Sequence, residues 1–99
     1  LFIAGSTARG TPAETGDIAA QTEVILQKFQ TILEANGATL ANVVKVTSFV
    51  TDLREAPASG DVRRRYFEGA FPASTQVQVA ALGTPDIKIE IEAIAVVPE

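Results

Sequence analysis

An α/β or α+β sandwich, with two helices laid on one face of a β-sheet, is the fold class this sequence predicts, and three patterns predict it. Ile87, Ile89 and Ile91 alternate with Lys88, Glu90 and Glu92, the period of a strand with one apolar face. Ile18, Thr22, Ile25, Phe29, Ile32 and Leu33 recur at three and four residues, the period of an amphipathic helix. The order along the chain reads strand, helix, strand, helix, strand, strand, which a layered sheet-and-helix domain accommodates.

Leu1 to Gly5 has the apolar content of an opening strand, and Ser6 to Gly16, rich in Thr, Gly, Pro and Ala, reads as a loop. Asp17 suits an N-cap before Ile18, and Gly37 suits the left-handed stop after Asn36. Val43 to Thr51 is dense in β-branched residues and reads as a central strand. Its two faces are expected to carry Val44, Val46, Ser48 and Val50 on one side and Val43, Lys45, Thr47 and Phe49 on the other. After a connector at 52–55, Pro57 to Phe67 is a weaker helix, with Pro57 tolerated in its first turn and Gly69 and Pro72 beyond its end. Gln76 to Ala80 and Ile87 to Val96 are expected as two buried strands joined by a Gly83-Thr84-Pro85-Asp86 turn. Helices on one sheet face leave the other bare, so that second face, with Phe49, Val79 or Ile94 among its members, predicts a subunit interface.

Composition removes several kinds of chemistry. At 99 residues the chain is one domain. A net charge of -4 disfavours nucleic acid and anionic membranes as partners. No Cys and no His are present, so disulfides, thiolate nucleophiles, Ser/His/Asp sets and the usual zinc ligands are excluded. No metal or cofactor is expected. No apolar run approaches the roughly 20 residues of a membrane span, and the cytosol is the expected compartment. Gly5-Ser6-Thr7 is too weak a pattern for a phosphate loop.

The polar residues admit bland and functional readings. Glu90 and Glu92, two apart on one strand and about 6 to 7 Å from each other, form with Lys88 either a solvated, partly paired face or the edge of a site. Ser74 and Thr75 suit turn hydroxyls bonding local backbone. Arg63, Arg64 and Arg65 fan around a helix at about 100° steps, so they cannot make one anion clamp. They suit a solvated helix end, or one of them serves a neighbouring subunit.

Phe71-Pro72-Ala73-Ser74 followed by Val77-Gln78-Val79-Ala80 and Ile89-Glu90-Ile91-Glu92-Ala93-Ile94-Ala95-Val96 resembles the end of RidA-type proteins, the YjgF/YER057c/UK114 family. Leu1-Phe2-Ile3-Ala4-Gly5, Gly37-Ala38-Thr39-Leu40, Val43 to Thr47, Thr51-Asp52 and Tyr66-Phe67 extend the likeness over nearly the whole chain. The resemblance implies a chorismate-mutase-like fold with a mixed sheet, assembled as a homotrimer with small-molecule sites in the clefts between subunits. It also implies that the family's first strand is missing ahead of Leu1. The implied activity is hydrolysis of reactive imines and enamines to a keto acid and ammonia.

In active members an Arg grips the substrate carboxylate, a Ser on the first strand and an Asn on the second helix orient it, and a Glu assists a water. Those positions fall on Ser74, Ala4, about Gly60, and Glu90, so only the Glu is retained. Glu90 is the expected catalytic residue. Thr75, Gly5 and Tyr66 complete the expected substrate-binding set, Tyr66 suiting core or interface better than catalysis. A charge-assisted Arg pair contributes roughly 1.5 to 3 kcal/mol against about 0.5 to 1.5 for a neutral hydroxyl. Ser74 therefore weakens the usual 2-imino acid reading unless Arg9 or a neighbouring subunit's Arg takes its place. A trimeric metabolite-binding protein without turnover is the alternative, and an endoribonuclease the weakest reading on so acidic a chain.

Overall fold

The computed structural model describes residues 1–99. Four strands, β1 (Phe2–Ser6), β2 (Val43–Val50), β3 (Ala73–Gln78) and β4 (Ile89–Ala95), form one sheet in the order β1-β4-β2-β3. Two helices, α1 (Ile18–Ala35) and α2 (Ala56–Phe67), lie on one of its faces. The sheet is mixed: β4 runs antiparallel to β1 and β2, whereas β2 and β3 are parallel. A parallel pair needs a crossover connection, which α2 supplies.

Helix α1 begins and ends where its chemistry dictates. The Asp17 carboxylate accepts from the Ala20 amide at 2.8 Å, and Gly37 takes a φ of +74° just past the last turn. Its buried stripe is Ile18, Gln21, Thr22, Ile25, Leu26, Phe29 and Leu33, while Ile32 lies on the margin. This stripe and Val62 and Phe67 of α2 meet Ile3 of β1, Val43, Val46 and Val50 of β2, and Ile89, Ile91, Ala93 and Ala95 of β4 in one continuous core. Small polar groups close the helix pair: the buried Thr22 hydroxyl lies 2.8 Å from that of Ser59. No helix is long and apolar enough to cross a membrane.

Three strand expectations need correction. β3 starts earlier than Gln76, at Ala73, and is an exposed edge strand rather than a buried one. It has a neighbour on one side only, and hydrogen-bonding register, not apolar content, sets its limits. β4 begins at Ile89, and the buried Ile87 belongs to the preceding turn, where its amide donates to the Thr84 carbonyl at 3.2 Å. In β2 the faces are as expected from Lys45 to Val50, but Val43 is buried and Val44 exposed. The register slips between Val43 and Lys45 against β4, so one extra residue reverses the alternation at the strand's start.

Candidate functional site

The sheet face away from the helices carries Glu90. β4 places Ile89, Ile91, Ala93 and Ala95 in the core, so Glu90, Glu92 and Ile94 project to the open side. Register sets Phe49 opposite Glu90, Thr47 opposite Glu92 and Lys45 opposite Ile94. On the other flank β1 bulges between Ile3 and Ser6, so that Ala4 and Gly5 together span the gap in its register with β4. The backbone of Gly5 comes against the Glu90 side chain: a Cβ there would sit 2.9 Å from the carboxyl carbon. The half-buried Glu90 carboxylate forms no intrachain hydrogen bond to a side chain or backbone amide and no ion pair. Thr75 is on this face too, where its hydroxyl accepts from Lys45 Nζ at 2.7 Å. Phe2, Ala4, Lys45, Thr47, Glu92 and Ile94 line a shallow groove of about 450 Å³ beside it.

Ser74 points the other way. In the parallel register with β2 it stands opposite the buried Val46, while Thr75 stands opposite Thr47. It lines a pocket of about 170 Å³ with Gly60, Arg63 and Phe67 of α2 and with Phe71 and Pro72. Arg63 Nη1 donates to the Ser48 hydroxyl at 3.2 Å and reaches the Ser74 hydroxyl at 3.5 Å. Burial, then the neighbouring Arg64, push the Arg63 guanidinium below its ordinary value. Neither of the chain's side-chain ion pairs involves it; they join Arg54 to Asp52 and Arg64 to Asp61.

The expected site residues thus fall into separate groups within one subunit. Ala4, Gly5, Thr75 and Glu90 share the open face; Gly60 and Ser74 share the pocket under α2. Tyr66 belongs to neither: its hydroxyl donates to Glu23 Oε1 at 3.0 Å and accepts from Gln27 at 3.2 Å, pinning α2 to α1. Burial pushes that hydroxyl's pKa up. The three arginines diverge as their helical steps require, but Arg63 is not a solvated end. It is four residues after the buried Ser59 and four before the buried Phe67, and that helical phase is the signal that singles it out. Arg9 is exposed, in the loop beside Gly83. No group of three or more acidic side chains comes together to hold a metal ion.

A mixed four-stranded sheet backed by two helices, with polar side chains carried on both faces of the strands, defines a class of small α+β domain. Within that class the chain belongs to the Endoribonuclease L-PSP family, whose model matches residues 1–97. It is 43% identical over 81 residues to Protein DfrA of Myxococcus xanthus, covering 82% of this chain and 61% of that protein. It is 33% identical over 93 residues to a 2-iminobutanoate/2-iminopropanoate deaminase of Dermatophagoides farinae, covering 94% of this chain and 72% of the relative. A crystal structure of a YjgF/YER057c/UK114 family member from Mycobacterium tuberculosis superimposes with a TM-score of 0.87 at 38% identity, over 97% of this chain and 77% of that one. The chain therefore spans less than two thirds of the Myxococcus relative and about three quarters of the other two.

Proposed function

We propose that this chain is a hydrolase of small imines or enamines, with Glu90 as its acid-base group in a site completed by a neighbouring subunit of a homotrimer. The observation that carries the reading is the Glu90 carboxylate itself. It is half-buried and without an intrachain partner, and it lies so close to the Gly5 backbone that a Cβ there would force its carboxylate end to shift. A half-buried carboxylate that no intrachain donor engages is free to take a proton from a bound water or to meet a group of a neighbouring subunit.

The chemistry asks little more. Water adds to the carbon of the protonated imine while Glu90 accepts one of its protons; Glu90 then returns that proton to the nitrogen of the carbinolamine and takes up the hydroxyl proton as the C–N bond breaks, giving a carbonyl compound and ammonia. Relatives named as 2-iminobutanoate/2-iminopropanoate deaminases at 33% and 40% identity support this reaction class. Ser74 stands where the resemblance places the family's carboxylate-gripping Arg, so turnover of the usual 2-imino acids calls for another cation, Arg9 or a neighbouring subunit's Arg, to take its place. Cleavage of RNA is opposed by the net charge of -4 and by Glu90 and Glu92 on the open face.

Ammonia release from 2-iminobutanoate, generated in place by an amino-acid oxidase, tests the reading. Acceleration by the wild type, lost by roughly a hundredfold or more in Glu90→Gln, is the expected result. Unchanged turnover in the variant removes Glu90 from the mechanism; no acceleration by folded, assembled wild type leaves a ligand-binding protein or a different substrate.

A further inference from the structure

Helix α1 is capped by Asn36, which Gly37 follows, and both residues are exposed. Asparagine before glycine sets an amide carbon beside a backbone nitrogen whose approach no side chain obstructs. Here a Cβ added to Gly37 would meet nothing within 4 Å. Three hydrogen bonds hold the two groups apart. Asn36 Nδ2 donates to the Ile32 carbonyl at 2.8 Å, the Asn36 amide to that of Leu33 at 2.9 Å, and the Gly37 amide to that of Glu34 at 3.1 Å. Residues 34–37 are all exposed, whereas the buried Leu33 and Ala38 close the base of the turn through a 2.9 Å bond. This turn therefore opens without disturbing the core. The chain's other asparagine differs on each count. Asn42 precedes the buried, β-branched Val43, and its side-chain oxygen accepts from the Thr39 amide at 2.9 Å in a capping box.

From this geometry we infer that Asn36 is a self-modification site, at which the chain deamidates through local opening of the C-terminal end of α1. Once the turn opens, the Gly37 amide nitrogen gives up its proton to solvent and attacks Asn36 Cγ. The bond from Cγ to Nδ2 then breaks, Nδ2 takes up a proton and leaves as ammonia, and a cyclic succinimide remains. Water adds to either carbonyl of the ring and the C–N bond there breaks, giving aspartate or isoaspartate. Water is the sole co-reactant. The modified chain carries a new carboxylate at the negative end of α1, two residues from Glu34, and lacks the bond to the Ile32 carbonyl. Isoaspartate also routes the main chain through its Cβ, so Gly37, at a φ of +74°, no longer falls where the turn closes on Leu33. The join between α1 and β2 is thereby loosened. Neither Glu90 nor the pocket under α2 takes part, so this chemistry stands or falls separately from the reaction assigned to Glu90.

Ageing the purified protein in neutral buffer, with peptide mapping by mass spectrometry, provides the test; a free peptide of residues 33–40 sets the rate of the unprotected reaction. The amide-to-acid mass gain, with isoaspartate among the products, should be confined to the fragment that carries Asn36. It should build up more slowly than in the peptide by roughly tenfold to a thousandfold, as breaking three exposed hydrogen bonds requires. Asn36→Gln, whose longer side chain closes a ring far less readily, should abolish it. Asn36→Asp, the direct product, should melt roughly 2 to 8 °C below wild type. A folded-state rate below about a thousandth of the peptide's, or conversion at Asn42 as fast as at Asn36, overturns the site. A rate equal to the peptide's overturns its gating by the turn, and an Asn36→Asp protein that melts with wild type overturns the loosening of α1.

Discussion

Glu90 illustrates how one residue's role depends on neighbours that the sequence places far away. Alternation with Ile89 and Ile91 already put it on the non-core face of a strand, and that much holds. Its contact with Gly5 comes from the pairing of β1 with β4 across the bulge after Ile3. Gly5→Ala should therefore disturb the site without unfolding the protein, because the added methyl has to displace the Glu90 carboxylate or the edge strand. A loss of roughly tenfold to a hundredfold in turnover, as a misplacement of about 1 Å brings, with little change in melting temperature, is the expected outcome. Undiminished turnover in Gly5→Ala would show that the proposed role of Glu90 needs no fixed position. Ser74 teaches the reverse lesson. From its sequence context Ser74 suits a turn hydroxyl bonding local backbone, whereas the fold brings the Arg63 guanidinium to that hydroxyl at 3.5 Å.

At the scale of elements, the least legible residue is Gln21. It sits on the buried stripe of α1, where a polar side chain is not expected, and it is completely inaccessible. The two N–H groups of its amide nitrogen are shared among the carbonyls of Glu14, Gly16 and Asp86 at 3.1, 3.2 and 2.9 Å, and its oxygen accepts from the Lys88 amide at 2.8 Å. One side chain thus binds the loop before α1 and the turn before β4 to the helix. Gln21→Leu conserves bulk but orphans those groups, at roughly 1 to 3 kcal/mol for each one left dry. A fall in melting temperature of about 4 to 8 °C for every kcal/mol lost follows for a domain of this length. Thermal unfolding checks it; a melting temperature equal to wild type would mean that water replaces the amide. Bulges account for the misread start of β2. Period-two alternation assumes an unbroken register, and a single extra residue at Val44 inverts every face before it.

The molecule as a whole is compact, with a Cα radius of gyration of 12.7 Å against about 13 Å for a well-packed domain of 100 residues. Its open sheet face is therefore not a sign of loose packing. That face nevertheless shows Phe2 at 82% and Val77 at 39% exposure, with Phe49 and Ile94 only half covered. Burying such a surface between copies gains about 25 cal/mol per Å², and native mass spectrometry at micromolar concentration should show a trimer. Phe2→Lys, at a position already open to water in the single chain, should leave the fold intact and shift the population toward monomer. A wild-type monomer would remove the shared site from the proposed mechanism, and a trimer indifferent to Phe2→Lys would move the interface elsewhere.

By itself the sequence determined the class of domain, both helices with the caps of α1, the core-facing isoleucines of β4 and the family. These follow from local periodicity and capping chemistry, which neighbouring residues specify between themselves. Only the tertiary structure decided that β3 is an exposed edge, that Gln21 is a buried clamp, and that Ser74 and Glu90 lie on opposite faces of the sheet. It also decided that Arg63, one of three consecutive arginines, turns inward. Strand order, register and the phase of a helix against a sheet arise from contacts between segments distant in sequence, and the pattern within any one segment does not contain them.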